Sequence, residues 1–179
     1  MTAETDIFRQ IKEFIGFTDE DAATLKSLAP VFAVRGGAIT DAFYVKLSKD
    51  PDQNRLIEGR VDQLKATHHR WMGELFAGDY GENYFQNRWK IGMTHVKVGV
   101  RPWWVEAVTS FLRSEGLGAL TAEIADADQR TRAAQALIKI LDIDLMIINL
   151  AYDAETVDRL SNFTGMSKKL IERCISLKK

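Results

Sequence analysis

Three histidines are the side chains in this 179-residue sequence best suited to hold a metal, and two of them are adjacent. His68 and His69 stand in KATHHRWMGELFAG, and His95 stands in IGMTHVKVG. Imidazole is largely neutral near pH 7, and either ring nitrogen can bind a metal. On a helix advancing about 100° per residue, Val61, Leu64, His68, Trp71 and Leu75 share one stripe, with Thr67 at its margin. His69 falls with Asp62 and Lys65, toward water. The pair therefore divides, His68 pointing into the domain and His69 out of it. On a later helix His95 shares a face with Tyr84, Ile91 and Val98. Gly92 and Gly99 flank it, small enough to let something large approach the backbone.

Two inward histidines are too few for a tetrahedral zinc site, which takes four ligands and usually includes thiolate. Cys174 is the single cysteine and lies far along the chain. A HExxH motif, carboxylates paired at metal spacing, a phosphate-cradling glycine loop and a nucleophile elbow are all missing. One chemistry that can use one or two neutral histidines in an apolar helical pocket is haem ligation. The plainer alternative, buried imidazoles satisfied by carbonyls in a haem-free helical module, stays open on these residues alone.

The surrounding elements read as helices. Only three prolines occur, at positions 30, 51 and 102, and apolar residues recur at three- and four-residue steps. A first helix is predicted over about Thr5 to Ile15. Thr18 with Asp21 reads as a capping box opening a second helix, bent or broken near Pro30. The Gly36-Gly37 pair reads as punctuation before ITDAFYVKL, which stops at DPDQ. The histidine pair lies on a helix from about Arg60 to Phe76, stopped by Gly78. Another spans GENYFQNRWKIGMTHVKVG, and Pro102 opens the next. SEGLGAL reads as a loop. A long helix is predicted from about Thr121 to at least Tyr152, with helical character on to Lys179. Its apolar residues form two stripes, Leu137, Leu141, Leu145 and Ile148 on one, Ile140, Ile143, Ile147 and Leu150 on the other. Two stripes suit either a central buried helix or one that also meets a second subunit.

Bulk composition narrows the classes. The length suits one sizeable core, and 46% hydrophobic with 27% charged residues is ordinary for a globular domain. Twenty-four basic and 25 acidic residues leave a net charge of -1 with no cluster of either sign, which argues against nucleic acid and direct membrane contact. The start, MTAETDIFRQIK, has no apolar core of a signal peptide. The most apolar run, LIKILDIDLMIINLAY, is broken by Lys139, Asp142 and Asp144, too charged to span a bilayer. A cytoplasmic protein is expected.

VDQLKATHHRWMGELFAGDY, followed by WKIGMTHVKVGVRPWW, resembles the pattern FxxLxxTxxxWxxxLFxGxY then IGxxHxxxGxxPxW of the bacterial globin-coupled sensors. DAFYVKL resembles the segment of that family that carries a distal tyrosine. The similarity covers about Asp41 to Trp104. It implies an all-α globin fold, a three-over-three helical sandwich with an N-terminal extension and a shortened D region. It also implies a b-type haem, His95 as proximal iron ligand and Tyr44 as the hydroxyl reaching bound gas. Thr67 matches a second hydrogen-bonding position, and Val98 and Trp103 match haem-packing positions. Leu64, Trp71 and Ile91 would complete the lining. A diatomic ligand on iron takes on partial negative charge, which a hydroxyl donor stabilises by about 1 to 3 kcal/mol, more for O2 than for CO. Tyr44 could equally be a core tyrosine bonded to a carbonyl.

His68 departs from the pattern, where histidine is not the usual residue. It could bond the iron as a sixth ligand in the absence of gas, line the pocket, or face a haem propionate. The resemblance further implies a sensor of O2 foremost, with CO and NO as other diatomic ligands, and no catalysis within this segment. A redox or NO-detoxifying globin is the alternative function. Residues 1–152 would form the sensor globin, homodimeric through its last two helices. Residues 153–179, including DRLSNFTGMSKKLIERCISLKK, would be a helical linker toward an output domain.

Overall fold

A computed structural model describes residues 3–176, and among them every regular element is an α-helix. α1 (Ala3–Phe14) precedes α2 (Asp19–Ser27), whose N-terminus carries the expected box: the Thr18 hydroxyl accepts from the Asp21 N–H, and the Asp21 carboxylate accepts from the Thr18 N–H. The chain breaks at Leu28, and Pro30 sits in the first turn of α3 (Ala29–Ser48), where its missing N–H costs nothing. Asp50 caps α4 (Pro51–Ile57) through the N–H groups of Asp52 and Gln53. Only Glu58 to Arg60 separate α4 from α5 (Val61–Leu75), so the region between them is short. α6 (Glu82–Val98) ends at Gly99, whose φ of +82° is left-handed and open to glycine at little cost. α7 (Pro102–Glu123), α8 (Ala127–Thr164) and α9 (Lys168–Ile175) complete the order.

α2 and α6 lie on α8, α5 lies on α3, and α3 and α8 both pack on α7. This is the three-over-three sandwich, with α2, α5 and α6 in one layer and α3, α7 and α8 in the other. α1 adds the N-terminal extension, resting on α6 and α8.

Several expectations are corrected. Gly36 and Gly37 do not interrupt α3, and SEGLGAL is not a loop but lies within α7. The long helix starts at Ala127 rather than Thr121, which belongs to α7. Helical character is not continuous toward the C-terminus, because α8 stops at Gly165, φ +72°, before α9; residues 177–179 lie outside the described residues. α8 does run past Tyr152, as expected, to Thr164. Both apolar stripes of α8 are largely covered by the chain itself: Leu137, Ile140, Leu141, Ile143, Ile147 and Ile148 are buried, and Leu145 and Leu150 are half-buried. α9 folds back on α8, burying Ile171 and pairing Lys168 with Asp158 at 2.5 Å.

Candidate functional site

Between α5 and α6, and roofed by α3, α7 and α8, lies a cavity of about 420 Å³. Most of its walls are apolar, including Leu47, Leu64, Ile91, Val105 and Ile148. His68 and His95 both reach it, from different helices, and so does Tyr44 from α3. His69 does not line it and is exposed.

His95 sits in the last turn of α6, where its carbonyl accepts from the Val100 N–H at 3.0 Å as the chain turns out of the helix. Its Nδ1 is buried and has no partner. Burial pushes its pKa below 6.5, and no charge or hydrogen bond acts against this. The imidazole is therefore neutral at pH 7 and keeps its lone pair for a metal.

His68 is held more tightly. Its Nδ1 faces the Thr40 hydroxyl at 2.9 Å, and its ring stacks on Trp71 with centroids 5.0 Å apart. Phe43 packs within 5.2 Å of the same ring. With Nδ1 engaged, the buried Nε2 is left without a partner. Burial, with a smaller contribution from His69, pushes the pKa down to about 4. Two orphaned imidazole nitrogens at an apolar cavity are costly unless a ligand satisfies them.

Tyr44 is buried, with burial alone raising its pKa to about 12. Its hydroxyl stays protonated and makes no hydrogen bond among the described residues, so the donor is free. Thr67 also lines the cavity, but its hydroxyl already donates to the Gln63 carbonyl at 3.1 Å. Val98 lines the rim and is partly exposed. Trp103 does not reach the cavity: it is 57% exposed and stacks on the outer side of Trp104, which does line it. The sequence held the signal for this, since the spacing PxW measured from Pro102 falls on Trp104.

One feature of the lining has no counterpart among the expected residues. Asp144, a carboxylate on α8, forms part of the wall and is 3% exposed. Trp71 Nε1 donates to its Oδ2 at 2.8 Å, Arg88 Nε donates to the same oxygen at 2.9 Å, and the Tyr84 hydroxyl donates to Oδ1. Arg88 is fully buried and also pairs with Glu74. Burial works to neutralise the guanidinium, but Asp144 and its other neighbours raise its pKa. The signal in sequence was a charge inside the most apolar run of the chain.

Among the described residues no three His, Cys, Asp or Glu side chains converge as a metal cage. The donor set is one or two imidazoles in an apolar cavity, which fits a metal that arrives already ringed by other ligands, as iron does in haem.

Fold and cavity together define a globin. The chain belongs to the protoglobin family, whose sequence pattern matches residues 4–158. It is similar to the globin domain of a Geobacter sulfurreducens globin-coupled sensor, with 34% identity and a TM-score of 0.77 over 80% of this chain and 96% of that one. The ferric globin domain of E. coli DosC shares the fold at 19% identity, with a TM-score of 0.67 over 83% of this chain and 99% of that one. The ferrous form gives 18% identity and a TM-score of 0.62 over 82% and 98%.

Proposed function

We propose that this chain is a haem-based gas sensor whose foremost ligand is O2. The observation that carries the reading is the neutral, unpartnered imidazole of His95 beside an apolar cavity that also holds the free hydroxyl of Tyr44. A haem bound there would supply an iron atom able to take a diatomic gas. His95 is the proximal ligand. Leu64, Trp71, Ile91, Val98 and Trp104 pack the macrocycle and exclude water. Tyr44 would donate a hydrogen bond from its hydroxyl to such a gas, since the Thr67 hydroxyl already donates to the Gln63 carbonyl. The haem would be b-type, as the family resemblance implies; Cys174 is exposed on α9 and does not line the cavity.

His68 would supply a second imidazole to such an iron when gas is absent. Its Nδ1 is engaged by Thr40 and its Nε2 is unpartnered, the arrangement that leaves one nitrogen basic and available. Held there, His68 would compete with gas and lower its apparent affinity by the fraction of protein already closed.

The signal would pass through a homodimer of α7 and α8, and residues beyond 152 would carry it toward an output module. The reading places the protein in the cytoplasm; among the described residues no helix is long and apolar enough to cross a membrane. Absorption spectra of the haem-loaded protein in ferric, ferrous and CO-bound states test the assignment. A low-spin, six-coordinate ferric form is expected. A high-spin or water-bound ferric form would rule out ligation by His68, and a protein that takes up no haem would end the sensor reading.

A further inference from the structure

The hydrogen bond between Trp71 and Asp144 lies outside the set of groups that touch a haem axial position, yet both residues line the same cavity as His68. The indole of Trp71 is the platform on which the His68 ring stacks, 29° from parallel. An indole at the edge of an open cavity has room to change rotamer. Here its N–H is anchored to a carboxylate that cannot itself move, because Arg88 and Tyr84 hold the carboxylate from α6. Arg88 is in turn fixed by Glu74 on α5, one turn beyond Trp71.

We propose that Asp144 and Trp71 are positioning residues for His68: the carboxylate locks the indole, and the indole locks the imidazole in the orientation that competes with gas. This rests on the reading of His68 as the sixth ligand and extends it to two residues on different helices. A ligand that must compete intramolecularly gains from being held in place, since each lost rotamer raises its effective concentration at the iron. The arrangement also ties the distal imidazole to α8, the helix that continues past the globin core to Thr164.

Trp71→Phe keeps a six-membered ring beside His68 and deletes the N–H donor together with the pyrrole ring that carries it. Asp144→Asn tests the other end of the bond, keeping an acceptor and removing its charge. Trp71 and Arg88 donate to one oxygen, Oδ2, so an amide oxygen can accept both while the amide nitrogen faces the Tyr84 oxygen. In the haem-loaded full chain, Trp71→Phe is expected to retain haem on His95 while its ferric low-spin share falls. Displacement of His68 by CO in the ferrous state should quicken roughly tenfold, the factor for one hydrogen bond to a charged group. Asp144→Asn, which weakens the same hydrogen bond by removing its charge, should shift both readouts in the same direction as Trp71→Phe and by less. In the haem-free protein the His68 ring should give one sharp NMR resonance in wild type and an exchange-broadened one in Trp71→Phe. A purely structural role would lower the melting temperature and leave spin state and displacement rate alone. A low-spin wild type with an unchanged Trp71→Phe variant overturns this inference alone. A wild type that is not low-spin overturns the ligand role of His68, and this inference with it.

Discussion

Tyr44 is the residue with the sharpest expected consequence. Its hydroxyl keeps its proton at any physiological pH, because burial places its pKa at about 12. Tyr44→Phe removes the donor and keeps the ring, so O2 dissociation from the haem-loaded protein should quicken about tenfold by stopped flow. CO dissociation should change much less. Unchanged O2 release would transfer the role to Thr67, whose hydroxyl would have to leave Gln63. At this scale helical phase made much of the site legible: it separated His68 from His69 and set His95 on an inward face. The motif match went astray at Trp103, where counting PxW from Pro102 gives Trp104, the residue that lines the cavity. Thr40 was beyond its reach. A threonine carries no phase signal of its own, and its meeting with His68 depends on how α3 crosses α5.

The helices were read well where the chain caps them and poorly where glycine sits inside them. A glycine in a helix interior costs about 1 kcal/mol against alanine, which makes it read as a break. Gly36 and Gly116 instead permit close packing: a Cβ on Gly36 would lie 2.5 Å from Met72 Sδ, and one on Gly116 would lie 2.8 Å from Leu137 Cδ2. Gly92 does the same where α6 meets α8 one turn before His95, with a Cβ falling 2.7 Å from the Ala151 Cβ and 3.0 Å from the Ile148 carbonyl oxygen. Gly92→Ala should therefore cost about 1 to 3 kcal/mol in chemical denaturation despite its better helix propensity. A gain in stability would mean the helices have room to part. α2 is tied to α8 by apolar packing of Leu25 and by an ion pair. Burial tends to raise the Asp21 pKa, but the Lys139 ammonium at 2.8 Å and the Thr18 N–H hold it below 3.8. A carboxylate whose folded pKa is depressed stabilises the fold fully above its unfolded pKa, and loses that contribution as pH falls through the lower folded value. Thermal melts of wild type should decline below about pH 4, and Lys139→Met should flatten that part of the profile.

For the molecule as a whole, the composition and the helical period were enough to indicate an all-α domain with one core. They could not decide what covers the two-sided helix. Most of both stripes of α8 is buried within the same chain, with Leu145 and Leu150 half-buried, so two apolar stripes are by themselves no argument for a dimer. A dimer through α7 and α8 is instead a proposal for sedimentation analysis, which should return twice the mass of one chain. The buried junction of Arg88 with Asp144 joins the two layers of the sandwich, and removing one partner leaves a lone charge inside. Arg88→Met should cost about 3 to 5 kcal/mol of folding stability by denaturant titration. Long-range contacts of this kind are written in no local pattern; the sequence showed only that a charge interrupts an apolar run. The central claim is that residue 95 supplies the bond that holds a haem. The most direct measurement is the absorption of wild type and His95→Ala after equal exposure to haem. The account predicts an intense Soret band with one haem per wild-type chain and its loss or severe weakening in the variant. A variant that binds haem with an unaltered spectrum and stoichiometry would contradict it.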